Sequence, residues 1–567
     1  MPSPWLHHYD PGVPLAIDSY PDKTLVDFVA EHARQRPDAI ALAFKGRHLS
    51  FREIDQASDS FAQGLAKLGL KRGDRVALVL PNCPQFVIAE LAVWKLGGLV
   101  IPQNPIYTER ELEQSLGTTR PRAIIVLTPF YGHIKAIQSR TSLELVIATN
   151  IKEYLPGILR FLFTVVKEKK EGHRIALQAG DHWFQDVLTA GAALGNPVAV
   201  ARPDDPAMIL MSGGTTGTPK GVLGVHRGLV AAGTQLLAWL NEPLIGPKAS
   251  IMLPLPLFHT YGFAGAQSMT LMRGIPLILV PNPRDLGDVL ATINRESPAL
   301  FCGVPTLFTA LLGRPEVASE KIDFRSIKAC FSGAAPLMAE TKKRFESLTG
   351  GRIVEGYSLT EATMACCANP YRGANKVGSV GMPLPDVTVR IVDADDGSRE
   401  MPTGEIGEIV IHAPELMTGY WNNPAETSEV LRPDAAGRIW LYTGDLGTLD
   451  EEGYLFIVDR KKDLIKTSGF QVWPREIEEV LASHPAVAEA GAAGMPDERK
   501  GEVVYAWIVL RSDAADVDAE TLRTFCKDKL APYKVPAHIE FRKDLPKTMV
   551  GKVLRRTLVA EAKAAGA

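Results

Sequence analysis

Residues 71–102 read KRGDRVALVLPNCPQFVIAELAVWKLGGLVIP, and this stretch decides the fold class. The turn Lys71-Arg72-Gly73-Asp74 opens into the apolar run Val76 to Leu80, which reads as a buried strand. A helix over Gln85 to Leu96 follows, stops at Gly97-Gly98, and hands over to a second strand, Leu99 to Pro102. Just upstream, Ser50 followed by Glu53 forms a capping box, and Ile54, Phe61, Leu65 and Leu68 then fall on one helical face. The same rhythm returns at Ala123–Leu127, Ile251–Leu255, Leu277–Val280 and Ile353–Glu355. Strands that alternate with helices, and that are apolar throughout, predict an α/β fold of mainly parallel sheets flanked by helices.

The last hundred or so residues change character. Trp473 to Leu481 predicts a short helix with Pro474 in its first turn and apolar residues at 477, 480 and 481. Strand-like Val503–Leu510 and a helix around Leu522–Leu530 complete a small α+β unit. The charged stretch Asp459-Arg460-Lys461-Lys462-Asp463 marks the boundary, giving a large domain over 1–461 and a small one over 462–567.

A chain of 567 residues buries a core without needing disulfides or a structural metal. Against 65 acidic residues stand 62 Lys and Arg, a net charge of −3, so nothing supplies the basic field that nucleic acid requires. The six cysteines, Cys83, Cys302, Cys330, Cys366, Cys367 and Cys526, show no metal or disulfide spacing and read as reduced, buried thiols. The amino terminus lacks the layout of a signal peptide, and no run is long enough to span a bilayer. A cytoplasmic protein is expected.

One segment stands apart. Tyr154 to Val166 is strongly apolar, contains Arg160, and leads into Lys167, Lys169 and Lys170. It reads either as an interfacial element with its basic flank near anionic lipid, which puts residues 154–170 at the inner face of the cell membrane, or as a buried helix with a solvated end.

The strongest chemical signal is Met211-Ser-Gly-Gly-Thr-Thr-Gly-Thr-Pro-Lys-Gly221. Its glycines expose backbone N–H groups, its hydroxyls add donors and Lys220 adds charge, which together make a cradle for polyphosphate. It is not a Walker loop, because no Gly-Lys-[Ser/Thr] follows the glycines and Pro219 stands where that helix would begin.

Downstream come Pro254-Leu-Pro-Leu-Phe-His259, Ser332-Gly-Ala-Ala-Pro336, Glu355-Gly-Tyr-Ser-Leu-Thr-Glu361, Tyr442-Thr-Gly-Asp445, Asp459 to Phe470 and Pro546-Lys-Thr-Met-Val-Gly-Lys552. In this order and over nearly the whole chain, these motifs resemble the adenylate-forming superfamily of acyl-CoA synthetases, luciferases and nonribosomal adenylation domains. The resemblance implies a small β-barrel-like subdomain in the large domain, a mobile small domain, and activation of a carboxylic acid by ATP and Mg2+ before transfer to coenzyme A.

Site roles follow residue by residue. Ser212, Gly213, Gly214, Thr215, Thr216, Gly217, Thr218 and Lys220 are expected on the phosphates. Gly333, Ala334, Ala335 and Gly356 are expected beside adenine, with Tyr357 as a stacking face. Asp445 and Arg460 are expected on the ribose, Thr360 at the α-phosphate, and Glu361 and Thr216 on the metal. Lys552 would meet the α-phosphate and carboxylate during adenylation, a contribution of about 3–4 kcal/mol by analogy with one oxyanion donor. Lys462 would then be the pivot of a rotation that withdraws Lys552 and brings Lys466 and Gly469 toward the pantetheine arm. His259 would lie near the acyl carbonyl and the incoming thiol.

The segments implied around the acyl group, Phe258–Met272, Leu300–Leu312 and Met364–Ala368, are apolar and rich in small residues. His259 stands where amino-acid-activating relatives carry an aspartate, and the sequence runs only to residue 567, which leaves no room for a carrier domain; both disfavour an amino-acid module. Trp5-Leu6, Asn104 to Leu112, Asn282-Pro-Arg-Asp285 and Val458 to Asp463 resemble bacterial long-chain fatty acid–CoA ligases. Medium-chain or coumarate-like aryl acids remain alternatives, as does a silent fatty-acid carrier with the same fold. The expected partners are fatty acid, ATP and CoA, with a homodimer as a further expectation.

Overall fold

The computed structural model describes residues 3–194, 201–212, 219–333, 335, 337–467, 470–497, 499–511, 514, 517–548 and 551–564. Two large sheets build the amino-terminal domain among the described residues. The first runs, edge to edge, through Met382–Pro383, Ala365–Ala368, Arg352–Ser358, Ala329–Ser332, Leu300–Gly303, Ile251–Leu253, Leu277–Leu279, Ile40–Phe44 and Arg47–Ser50. Its inner pairings, from Arg352–Ser358 to Ile40–Phe44, are parallel, and its edge pairings are antiparallel. The second places Leu99–Pro102, Arg75–Val79, Ala123–Leu127 and Leu145–Thr149 in parallel, and ends in the antiparallel pair Pro206–Ser212 and Lys220–Val225 with Gly419–Tyr420 outside it.

Helix Pro84–Lys95 explains how the sheets come together. All twelve of its residues are buried, as a helix apolar on every side requires. Trp94 Nε1 donates to Ala207 O at 2.8 Å, and its ring meets Phe263 edge-on at 5.9 Å. Asn82, just ahead of the helix, donates to Leu253 O at the end of a first-sheet strand and to Leu255 O just beyond it, at 3.0 and 2.8 Å. One continuous core therefore runs from sheet to sheet. At the polar end of the helix, the buried Lys95 ammonium is matched by Asp55 and Asp59 at 2.7 and 2.6 Å.

A five-stranded antiparallel sheet follows, built from Thr388–Val392, Gly407–His412, Ile439–Leu449, Leu431–Pro433 and Leu455–Arg460. The smaller carboxy-terminal domain has its own sheet of Phe470–Val472, Ile465–Thr467, Gly501–Leu510, Val487–Asp497 and His538–Phe541. Helices Pro474–Ala482 and Ala519–Lys527 cover it around a separate core that includes Ile477, Leu481, Val504, Ile508 and Leu522. The expected fold class thus agrees with the architecture. All six cysteines are buried free thiols.

Of the apolar run 154–166, Tyr154 and Leu155 are buried, and the helix that follows them is exposed rather than buried. Helix Gly157–Leu162 continues into a wider turn, Phe163–Lys167, with none of these residues buried. Ile158, Phe161, Leu162, Val165 and Val166 are 49–79 % exposed and recur at i, i+3, i+4, i+7 and i+8, so the apolar stripe of this helix faces solvent. Phe163 turns the other way, edge-on to His173 at 5.1 Å. No helix of the described residues is long and apolar enough to cross a membrane.

Candidate active site

Parallel strands in one sheet deliver their following loops to the same edge, and this places most of the site. Gly303, Ser332 and Glu355 stand in register on three adjacent parallel strands. The residues just beyond them, Pro305, Gly333 and Gly356, therefore share one edge with the loop Pro254–His259 that follows Ile251–Leu253. A Cβ on Gly333 would stand 3.7 Å from Gly356 O and 3.8 Å from Tyr261 Cε1, so side-chain space is open there. Gly356 is a glycine for packing, because a Cβ would come within 2.6 Å of the Phe331 ring. Ala335 is half-buried beside them.

The turn after Tyr357 presents Thr360 and Glu361, both half-buried. Thr363 N–H donates to Thr360 O at 2.9 Å, and Met417 N–H donates to Glu361 O at 2.9 Å. Thr363 adopts φ +61°, a strained left-handed conformation for a β-branched residue, and its carbonyl accepts from the Thr260 hydroxyl. That bond ties the Glu361 turn to the residue after His259.

His259 is half-buried. Its Nδ1 accepts from Tyr261 N–H at 3.3 Å, which leaves the ring proton on Nε2. Burial pushes the imidazole pKa down to about 4, so the ring is neutral at physiological pH. The helix Tyr261–Gln267 that follows is wholly buried and passes Met364, whose side chain would meet a Cβ on Gly265. The apolar segments Phe258–Met272 and Met364–Ala368 are thus neighbours.

The antiparallel pairing of Ile439–Leu449 with Leu455–Arg460 sets Asp445 opposite Arg460. Arg460 Nε lies 3.1 Å from Asp445 Oδ1, and the Tyr357 hydroxyl donates to Oδ2 at 2.5 Å. Burial opposes the Arg460 charge, but Asp445, Tyr357, Asp463 and Glu361 outweigh it and raise its pKa. Burial, then the Asp445 charge, raises the Tyr357 phenol far above its ordinary range, so it remains a donor.

Gly551 and Lys552 of the small domain reach this cluster. Gly551 adopts φ +79°, and a Cβ there would stand 2.5 Å from Thr306 Oγ1 of helix Pro305–Leu312, so only glycine suits both the backbone and the approach. Lys552 is exposed by area yet sits in the cleft between the domains, within electrostatic reach of Arg460 and Asp445. Desolvation by the cleft walls and then the Arg460 charge push its ammonium down to about 8, against the pull of Asp445.

Of the phosphate cradle, Ser212 and Lys220 are described and lie opposite each other in register; Gly213, Gly214, Thr215, Thr216, Gly217 and Thr218 lie outside the described residues, as do Ala334 and Gly469. Lys220 Nζ pairs with Glu426 Oε1 at 2.6 Å. Lys462 is exposed in the turn after Arg460. Lys466 is exposed on Ile465–Thr467, its amide held by Glu502 at 2.7 Å within the small domain. The structure therefore brings Tyr357, Glu361, Asp445, Arg460 and Lys552 into one charged cluster and leaves Lys466 apart from it.

Sequence reasoning passed over Tyr420, Thr306 and Arg555. Only Tyr420 left a trace, as the Gly-Tyr-Trp run just before the helix-starting Asn423-Pro424.

Among the described residues no group of three or more His, Cys, Asp and Glu side chains could hold a metal. Glu361 alone fits Mg2+, which binds through one or two carboxylates and completes its shell with substrate phosphates and water.

Residues 29–421 match the family model described as AMP-binding enzyme, and 476–552 match the AMP-binding enzyme C-terminal domain. A long-chain-fatty-acid–CoA ligase of Bacillus subtilis is 39% identical over 559 residues, 98% of each chain. A probable 4-coumarate–CoA ligase of Dictyostelium discoideum is 32% identical over 550 residues, 95% of each. The anthranilate CoA ligase AuaEII, solved with anthranoyl-AMP, superposes with a TM-score of 0.80 at 27% identity, covering 98% of each chain.

Proposed function

This chain belongs to the AMP-binding enzyme family, and on that footing we propose that it is a long-chain fatty acid–CoA ligase: it joins a fatty acid to ATP as acyl-AMP, releases pyrophosphate, and passes the acyl group to coenzyme A with loss of AMP. The observation that carries this reading is Lys552, delivered by the small domain to the edge where Asp445 and Arg460 stand.

A carboxylate is a poor electrophile, so the first step needs charge stabilisation as the anhydride forms. Lys552 meets the growing negative charge on the α-phosphate with a fixed cation. Thr360 holds that phosphate, while Ser212 to Thr218 and Lys220 hold the pyrophosphate that leaves. Asp445 and Arg460 bind the ribose, and Gly333, Ala334, Ala335, Gly356 and Tyr357 frame the adenine. Glu361 and Thr216 would hold Mg2+, which supplies charge neutralisation on the phosphates.

The second step follows a turn of residues 462–567 about Lys462. Lys552 leaves, Lys466 and Gly469 come to the pantetheine arm, and neutral His259 lies near the thiol and the acyl carbonyl. The relative from Bacillus subtilis and the buried, apolar helix Tyr261–Gln267 support a long acyl chain. The Dictyostelium relative supports an aryl acid as the second reading.

Pyrophosphate release across acids from hexanoic to palmitic, with coumarate alongside and CoA present or absent, tests both. Release that rises with chain length supports the first reading; a preference for coumarate selects the second, and release indifferent to the acid overturns both.

The outward stripe Ile158 to Val166, with exposed Lys169 and Lys170 beyond it, supports a cytoplasmic enzyme that rests on the inner face of the cell membrane, where its substrate dissolves.

A further inference from the structure

Tyr420 stands between two charged groups that adenylation uses. Its backbone is held on both sides: strand Gly419–Tyr420 pairs with Lys220–Val225, Trp421 N–H donates to Gly221 O at 2.7 Å, and Tyr420 N–H donates to Thr427 Oγ1 at 2.9 Å. From that anchor the ring carries the Lys220 ammonium 5.0 Å from its centroid, and the hydroxyl donates to Glu361 Oε1 at 3.0 Å.

Lys220 begins a strand of one large sheet, and Glu361 follows a strand of the other. No shared register sets their separation, and Tyr420 bridges it. One Glu361 oxygen is taken by the phenol, which orients the carboxylate; among the described residues its second oxygen has no hydrogen-bond partner and can face a cation. Glu426 completes the arrangement: Oε1 pairs with Lys220, Oε2 accepts from Asn423 Nδ2 at 2.6 Å, and a cavity of about 310 Å³ opens between Lys220, Tyr420 and Glu426.

We propose that Tyr420 is a positioning residue for the adenylation step, fixing Lys220 through its ring and Glu361 through its hydroxyl, with Glu426 as the counter-ion that Lys220 exchanges for polyphosphate. The proposal rests on the acyl-adenylate reading above.

The test uses full-length Tyr420→Phe and Tyr420→Leu. Calorimetry measures ATP binding with and without Mg2+, pyrophosphate exchange measures adenylation, and preformed acyl-adenylate plus CoA measures the second step. Tyr420→Phe keeps the ring, so ATP binding without Mg2+ should be unchanged. The tightening that Mg2+ brings, and kcat for exchange, should each fall about tenfold, the effect of one lost hydrogen bond to a charged group. Thioester formation should be unchanged. Tyr420→Leu should weaken ATP binding even without Mg2+. Wild-type Mg2+ dependence in Tyr420→Phe overturns the proposal, as does equal loss of both half-reactions; if the leucine variant does not fold, the phenylalanine variant still decides. Should the wild-type enzyme show no exchange with any acid, the acyl-adenylate reading fails, and the calorimetry alone continues to judge Tyr420.

Discussion

Asp445 and Arg460 face each other across adjacent antiparallel strands, Arg460 Nε 3.1 Å from Asp445 Oδ1. The Tyr357 hydroxyl takes the other oxygen, so this carboxylate is oriented before any nucleotide arrives. Asp445→Asn keeps the shape and loses the charge. ATP affinity should fall by about 1.5–3 kcal/mol, roughly ten- to a hundredfold. Calorimetry with ATP checks this, and wild-type affinity would remove Asp445 from the ribose.

Lys552→Ala separates the two half-reactions. Pyrophosphate exchange should drop about 10²–10³-fold, while transfer from preformed acyl-adenylate to CoA is spared. Equal loss of both steps would refute the idea that the small domain turns between them.

The pH dependence of adenylation should report the same lysine. Its ammonium is held at about 8 instead of 10.5, chiefly by desolvation in the cleft. The charged form is the working one, so kcat/KM for ATP should be highest below that value and decline as pH rises through it. Lys552→Arg keeps its charge at every working pH and should lose the falling limb. A wild-type profile that stays flat through pH 8 and beyond contradicts the assignment.

Arg555 ties the small domain to the last strand of the large one. Its Nη1 pairs with Asp459 at 3.0 Å and Asp463 at 3.1 Å, and its Nε and Nη2 grip Glu478 at 2.9 and 2.7 Å. Asp459 precedes the proposed boundary at 461/462, and the other two follow it. Removing the guanidinium leaves the buried Asp459 and the half-buried Glu478 without their shared cation, so Arg555→Met should cost about 3–5 kcal/mol in a urea titration. It should also slow adenylation more than thioester formation. Unchanged unfolding would mean that the cluster is solvated.

The exposed stripe predicts flotation with anionic liposomes. Phe161 and Val165 both point outward, so replacing the pair with serine should abolish flotation and leave turnover of a soluble short-chain acid intact. If flotation persists, the lipid contact is elsewhere.

The parts of this protein that were legible early share one property: their cause is local. Ser50 and Glu53 form the capping box of Phe51–Lys67, and the strand Ala123–Leu127 has the bounds its apolar run predicts. Other elements moved by a few residues at their ends; helix Pro84–Lys95, read as Gln85–Leu96, is one. Apolar content located the segment 154–166 but not its orientation, because a periodic stripe is the same string whether it meets a core or water. The contacts of Tyr420 and Arg555 were hidden for another reason. Their partners lie 59 and 96 residues away in Glu361 and Asp459.

The chain by itself determined its strands, helices and caps, and the run of motifs that marks its family, since each follows from neighbours within a few residues. Only the tertiary structure decided which side chains meet: Asp445 with Arg460 through strand pairing, Lys220 with Glu361 through Tyr420, and Lys552 with both domains through the close approach of Gly551 to Thr306. Those contacts depend on how separate elements pack, and burial and charge act between surfaces that no single stretch of sequence contains.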